Sequence, residues 1–361
     1  MDNELGYWLR LYFTYGVGPA KFLKLLKHFE TLENLYHSDL LTVSSIVGMG
    51  VAKAIFANDY QSEIARAIAW QEADAENRHI ITLKDEVYPL SLAQIAQPPV
   101  VLFAEGNIEL LQNNKIAMVG TRHPTQTGID NARNFAASLA GHDLTIVSGL
   151  AAGIDRYAHE GALSIAHGGS TIAIVGTGID IVYPASNKVL FNQIRERGLI
   201  ISEFPLGTPP INNNFPRRNR IVVGLSSACL VVESAIDGGS MISADFALEM
   251  GREVLAIPGS IHNPMARGCH KLIKSGAKLC ENVHDILDEI KIQIRHDAIS
   301  QQLSATDDPV LYAMGDDPIT VDSLCAKLQI DFSELCGKLL ELELNEQIID
   351  CGGGRYQRIF K

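Results

Sequence analysis

A C-x-x-C pair is missing from this sequence. Its six cysteines, Cys229, Cys269, Cys280, Cys325, Cys336 and Cys351, are scattered, which removes zinc-ribbon and thioredoxin readings and leaves reduced thiols as the expectation. Long apolar runs are missing too, since none approaches the roughly 18 to 20 residues of a membrane span. The opening Met1-Asp2-Asn3-Glu4 lacks the basic stretch of a secretion signal, so the protein is expected in the cytoplasm. There is no G-x-x-x-x-G-K-[ST] segment, and Gly176-x-Gly178 is followed by Ile179, Asp180 and Ile181 rather than by the third glycine of a dinucleotide fingerprint. P-loop ATPases and NAD dehydrogenases are thereby disfavoured. His123 and His159 have no carboxylate or second histidine at ligand spacing and read as capping or packing residues, so no metal or cofactor is expected. Positive charge is in deficit: 30 Lys and Arg face 42 Asp and Glu, a net of −12. That balance argues against a generic nucleic-acid coat protein and leaves the charge of any local groove open.

What is present is an ordinary globular composition, 47% hydrophobic and 20% charged over 361 residues, enough for two or three domains. Residues 1–77 carry two similar turns, Gly16-Val17-Gly18-Pro19 and Val47-Gly48-Met49-Gly50, each followed by a helix-like segment, 20–28 and 51–57. The pattern predicts paired helix-hairpin-helix (SAM-like) units. Such turns can aim backbone N–H groups at a phosphate. They also serve as plain scaffold, which is favoured because Lys21, Lys24 and Lys27 after the first turn have few counterparts after the second. From residue 78 the period changes. Near-continuous apolar runs at 80–83, 100–103, 115–119, 144–147, 171–175, 199–201, 229–232 and 254–257 alternate with helical stretches. These predict a doubly wound α/β domain over 78–290, with a parallel sheet covered on both faces. A polar linker is expected over 291–308. Beyond it, helices at 310–314, 321–328 and 333–344 and strands at 348–350 and 355–359 around Gly352-Gly353-Gly354 predict a small winged helix over 309–361.

Ligands of such sheets sit at the carboxyl ends of the strands. There the sequence places Gly120-Thr121-Arg122, Ser148-Gly149-Leu150-Ala151-Ala152-Gly153-Ile154-Asp155, Gly176-Thr177-Gly178-Ile179-Asp180 and Gly238-Gly239-Ser240. One glycine turn would mean little. Four, rich in hydroxyls and amides that donate to phosphate oxygens, predict a phosphate-lined edge. Asp155 and Asp180 fit helix capping better than acid catalysis. The densest cationic stretch is Phe215-Pro216-Arg217-Arg218-Asn219-Arg220 after Asn212, Asn213 and Asn214, read as a loop in which arginines hold a strand's backbone and an aromatic face stacks a base. The plainer reading is a solvated loop pinned by Arg–carboxylate pairs. Residues 205–280 hold eight basic and five acidic residues, +3 in an otherwise acidic chain, so the anion site belongs here. The candidate DNA-binding set is Gly120, Thr121, Arg122, Ser148, Gly149, Asn212, Phe215, Arg217, Arg218, Asn219, Arg220, Gly239 and Ser240, with Arg267, Lys271 and Lys274 extending the basic track.

On these motifs, together with Ala158-His159, Tyr183-Pro184, Ser202-Glu203, Gly224-Leu225-Ser226, Pro258-Gly259 and Gly276-Ala277, the chain closely resembles the DNA-processing protein A (Smf) family of bacterial transformation proteins. The match runs through most of residues 80–280. The resemblance implies an extended Rossmann-like core that forms a homodimer, binds single-stranded DNA along its basic edge, and loads a RecA-type recombinase onto incoming DNA while displacing single-strand-binding protein. It implies no reaction chemistry. Two positions depart from the family's pattern: His270 stands where Asn is usual, and Thr121 where Ser is usual, the latter keeping the hydroxyl.

A different class is the alternative. The core also resembles, distantly, nucleotide-processing phosphoribohydrolases whose loop reads P-G-G-x-G-T-x-x-E; here Gly238-Gly239 match, while Asp237, Met241, Ile242 and Asp245 replace Pro, Gly, Thr and Glu. A winged-helix transcription factor fails on charge, because the third C-terminal helix carries Glu334, Glu341 and Glu343 against Lys338 alone.

Overall fold

The change of hydrophobic period near residue 78 becomes a change from helices to strands in the computed structural model, which describes residues 4–57, 60–290, 309–314, 319–328, 330–345, 347–352 and 354–358. The linker expected over 291–308 lies outside the described residues. The chain divides into two compact units, Met1–Ile292 and Gln293–Lys361.

In the first unit six helices come first: α1 (Glu4–Phe13), α2 (Pro19–Phe29), α3 (Leu32–His37), α4 (Leu40–Val47), α5 (Met49–Ala57) and α6 (Gln61–Glu72). Their starts follow local chemistry. Pro19 opens α2, where a missing N–H costs nothing, and the side chains of Thr31 and Asp39 accept the amides of Asn34 and Thr42. Gly16 takes φ +84°, and a Cβ there would meet Val51 at 3.2 Å, so the first glycine turn rests on the helix after the second. Trp8, Phe22, Leu25, Leu35 and Ile55 are fully buried and share one cluster with Val101 and Phe103 of the sheet.

Nine strands form one sheet among the described residues: β1 (Arg78–Thr82), β2 (Val101–Gly106), β3 (Lys115–Val119), β4 (Thr145–Ser148), β5 (Thr171–Val175), β6 (Leu199–Ser202), β7 (Ala228–Val231), β8 (Glu253–Ala256) and β9 (Lys278–Leu279), in the order β1-β2-β6-β5-β4-β3-β7-β8-β9. Every expected run is a strand, seven of the eight to within two residues, while β2 runs three residues beyond its expected end at 103. From β6 to β9 the neighbours are parallel, with Ala117 opposite Cys229 and Val119 opposite Val231, whereas β1–β2 and β2–β6 are antiparallel. The β1–β2 connection carries only the single-turn α7 (Leu90–Ala93) and so lacks the helix of a parallel crossover. The two-residue β9 is too short to show a period. The longer helices are α8 (Gln126–Gly141), α9 (Ile154–Leu163), α10 (Lys188–Arg197), α11 (Asn214–Gly224), α12 (Gly239–Glu249), α13 (Arg267–Lys274) and α14 (Val283–Glu289).

The strand period of two sorts side chains into layers. On β5, Ile172 and Ile174 pack with α11, α12 and α13, while Ala173 and Val175 join the layer holding α10 and the N-terminal helices. A Leu-to-Ala change in such a layer costs about 2 to 5 kcal/mol. Sequence order reverses at β3, which lies between β4 and β7, so the turns leaving β3 and β7 diverge and open a crevice at the carboxyl edge.

The second unit has helices Pro309–Met314, Val321–Leu328 and Phe332–Leu344 and a three-stranded sheet in which Arg355–Arg358 lies between Ile319–Thr320 and Ile348–Asp350. Val310, Leu324, Leu335 and Leu339 form its core. Gly352 and Gly354 take φ +80° and +71° at the wing tip, a conformation that favours glycine. This is the expected winged helix, with the short strand Ile319–Thr320 in addition. Among the described residues no helix is long and apolar enough to cross a membrane.

Candidate nucleic-acid interface

The turn after β3 is held from below. A Cβ on Gly120 would lie 2.5 Å from Ile154 Cγ1 and 2.9 Å from the carbonyl of Glu233, so only glycine passes. Thr121 donates its amide to that carbonyl (2.8 Å) and accepts the amide of Ile154 (3.1 Å). The Glu233 carboxylate is buried and accepts from the amide and hydroxyl of Thr125 (both 2.9 Å) and from Asn263 Nδ2 (2.8 Å). Pinned in this way, the turn carries Arg122 exposed at its tip.

Facing it is the start of α11. The stretch expected to be a loop is helical because Pro216 falls in the first turn, where its missing N–H is one the helix would leave unpaired anyway. Phe215 lies on Gly176, whose Cβ would approach its ring to 2.7 Å. Arg122 Cζ stands 5.8 Å from the centroid of that ring, and Tyr183 packs against it in a tilted arrangement, centroids 5.4 Å apart and planes at 31°. The three side chains form a cation–aromatic platform. Beneath it Arg218 is 3% exposed; it donates to the carbonyl of Ile174 (2.7 Å) and fills the space a Cβ on Gly149 would need. Burial lowers its pKa to about 10, opposed by the nearby Asp155, and leaves it charged at neutral pH.

Three helices, α9, α11 and α12, begin at this edge after Gly153, Asn213 and Gly238, and none of these residues supplies a side-chain cap. Uncapped starts leave amides and positive helix potential for an anion. Together the elements enclose a pocket of about 290 Å³ lined by Gly120, Thr121, Arg122, Phe215, Arg218, Asn219, Gly239 and Ser240. A smaller cavity of about 70 Å³ beside it adds Gly149 and Tyr183.

Other expected residues serve elsewhere. The Ser148 hydroxyl is fully buried and donates to the Met118 carbonyl at 2.6 Å. Arg217 and Arg220 turn to the far side of α11, where Glu203 accepts Arg217 Nη2 at 2.9 Å and Arg220 Nη1 and Nη2 at 2.8 and 2.7 Å. This is the Arg–carboxylate pinning of the plainer reading, on a helix. Asn212 is exposed ahead of α11, and Arg267, Lys271 and Lys274 are exposed on α13; none of the four lines the pocket. Asp155 and Asp180 cap no helix. Asp155 reaches back from the first turn of α9 to accept the amides of Gly149 and Ala151 (3.1 and 3.4 Å), and Asp180 accepts that of Gly207 (2.7 Å). Burial raises the pKa of Asp155 against the pull of Arg218. His159 is a packing residue, its Nδ1 2.6 Å from Thr171 Oγ1, and His270 Nε2 lies 2.9 Å from the carbonyl of Gly259. Tyr183 was not anticipated as a site residue; the signal was an aromatic before a proline, just beyond the third glycine turn.

The central domain over residues 79–291 matches the family model described as DNA recombination-mediator protein A. The chain belongs to that family. The DprA winged helix domain matches over 295–354. Among curated members of the DNA recombination-mediator protein A family, Protein Smf of Escherichia coli is 38% identical over 305 residues, covering 81% of this chain and 80% of that protein. DNA processing protein DprA of Streptococcus pneumoniae is 43% identical over 210 residues, 58% of this chain and 73% of that protein. The X-ray structure of the S. pneumoniae protein superposes with a TM-score of 0.71 at 35% identity, covering 80% of this chain and 99% of that one. A Helicobacter pylori DNA processing protein A, described for its single-stranded DNA binding mode, gives 0.54 at 29% identity over 58% of this chain and 94% of that one.

Proposed function

We propose that this chain binds single-stranded DNA at the carboxyl edge of its sheet. The observation that carries the reading is the platform of Arg122, Phe215 and Tyr183 beside three uncapped helix starts. A base stacks on an aromatic face whatever its identity, while amides and guanidinium hold the backbone. The single-stranded DNA binding described for the H. pylori relative supports it. The finer proposal is that the chain acts in the cytoplasm as a homodimer through the central domain, protects incoming DNA during natural transformation, and loads a RecA-type recombinase as single-strand-binding protein leaves. The division into 1–77, 78–290, 291–308 and 309–361 is part of the same proposal.

Binding is proposed rather than catalysis. The acidic residue lining the pocket, Asp155, already accepts two amides, and Ser240 Oγ is engaged with Ser234 Oγ at 2.7 Å. Ile242 lines the pocket where a phosphoribohydrolase would place a phosphate-donating threonine. The test is a titration of labelled oligo-dT against a duplex of equal length at two salt concentrations. Tighter binding of oligo-dT, weakening steeply with salt, is expected. Equal duplex affinity or insensitivity to salt would overturn the proposal.

A further inference from the structure

Helix α11 has two working faces. Phe215, Arg218 and Asn219 line the pocket described above, whereas Arg217 and Arg220 line a second, larger cavity of about 590 Å³. Its other walls come from the segment after α7, with Gln94, Ile95 and Gln97, and from the end of α12, with Phe246, Glu249 and Met250, followed by Arg252. A volume of this size is in the range of small-ligand sites.

The polar groups are unevenly satisfied. Arg220 is 6% exposed; its two terminal nitrogens bind Glu203, but its Nε is buried without a partner. Arg252 donates to the carbonyl of Ser91 at 3.2 Å, and its Nε is likewise buried and unpartnered. A buried N–H without an acceptor costs about 1 to 3 kcal/mol, more when the group is charged. These Nε atoms are closed off by protein, and what the cavity offers a ligand is the gathering of three guanidinium side chains, Arg217, Arg220 and Arg252, on its walls. Guanidinium groups favour carboxylates, which accept paired N–H bonds. Local charge decides its size: Arg217, Arg220 and Arg252 against Glu203 and Glu249 leave a single positive charge, which one carboxylate balances and a dianionic phosphate would exceed. Ile95, Phe246 and Met250 offer an apolar wall for the rest of the ligand.

We propose that this cavity binds a carboxylate carried on an apolar or aromatic group, either a small organic acid or the C-terminal residue of a partner chain. Isothermal titration of the full chain with N-acetylphenylalanine, and with a short acidic peptide ending in phenylalanine, tests it. Each ligand is run as the free acid and as the C-terminal amide. The acid is expected to bind at least tenfold more tightly than its amide. A peptide acid at least tenfold tighter than the small acid identifies a chain terminus as the source; equal affinities identify the small acid. Arg252→Gln and, separately, Met250→Glu should each weaken acid binding at least tenfold, with oligo-dT affinity and thermal unfolding unchanged. Equal binding of acid and amide by the unaltered protein, binding of neither acid, or full acid affinity in both folded variants would overturn the proposal.

Discussion

Arg218 is a cation almost without surface, placed under the ring of residues a DNA strand would touch. Its charge acts through protein rather than water, whereas Arg122 acts from the exposed tip of its turn. The two therefore differ under mutation. Arg122→Ala should leave folding unchanged and lower the salt slope of oligo-dT binding by about 0.7, the value for one lost single-strand phosphate contact. Phe215→Ala should weaken binding by about 1 to 3 kcal/mol, the worth of one stacked base, while Phe215→Tyr retains it. Fluorescence anisotropy at three salt concentrations checks both, and unchanged affinity in a folded Phe215→Ala protein would move the bases off this platform. His159 makes a pH prediction. Burial, then the charge of Arg218, lower its pKa from the ordinary 6.5 to about 3, so it is neutral in the fold. The unfolded chain gains the proton first on acidification. Its contribution to stability is thus complete above about pH 6.5 and is lost as pH falls toward about 3, by up to about 1.4 kcal/mol per unit. Asp155, raised by burial, acts in the opposite sense in acid. Urea midpoints between pH 7 and 4.5 should fall less steeply in His159→Gln than in the unaltered chain; identical slopes would remove His159 as the source.

At the scale of an element, α11 shows where reading by pattern succeeds and where it stops. The three arginines of residues 217–220, which follow three asparagines, were legible as the densest positive stretch, and Phe215 as an aromatic beside them. What the pattern could not assign was direction. A loop would leave Arg217, Arg218 and Arg220 equally free; on a helix they separate, Arg218 to one side and Arg217 and Arg220 to the other. Their partner Glu203 lies 14 and 17 residues earlier, beyond the end of β6, and nothing local links the two segments. The strands from β2 to β7 were legible because each is buried along its whole length, and the glycine turns because three of them leave such strands. Which glycines are indispensable depends on neighbours distant in sequence, as with Gly149 and Arg218. The Glu203 pairing makes a stability prediction. Glu203→Ala leaves the buried Arg220 charge without its counter-ion, a loss of about 3 to 5 kcal/mol for such a pair. The Arg217 contact adds little, since that side chain is 48% exposed and screened by water. Guanidinium unfolding should show the drop, and a change below about 1 kcal/mol would mean that Arg220 finds another acceptor.

At the scale of the whole molecule, negative charge is denser in the second unit than in the first. Residues 305–361 carry five basic and eleven acidic residues, and within the third helix Glu334 already occupies Lys338 at 3.5 Å. A winged helix of this composition lacks the counterion release that drives non-specific DNA affinity. A chain ending near Ser304 should therefore keep essentially full oligo-dT affinity, and the separate 305–361 segment should give no gel shift. A loss of more than about tenfold on truncation, roughly 1.4 kcal/mol, would put the wing on DNA. The recessed position of the donors at the sheet edge has a kinetic consequence. From a distance the molecule is an anion of charge −12 meeting a polyanion. At about 0.1 M salt the repulsion fades within about 10 Å, and only inside that range do the amides, Arg122 and the helix starts outweigh it. Added ions then act on arrival and departure in opposite senses, speeding encounter at the lowest ionic strengths while shortening the residence of a strand once caught.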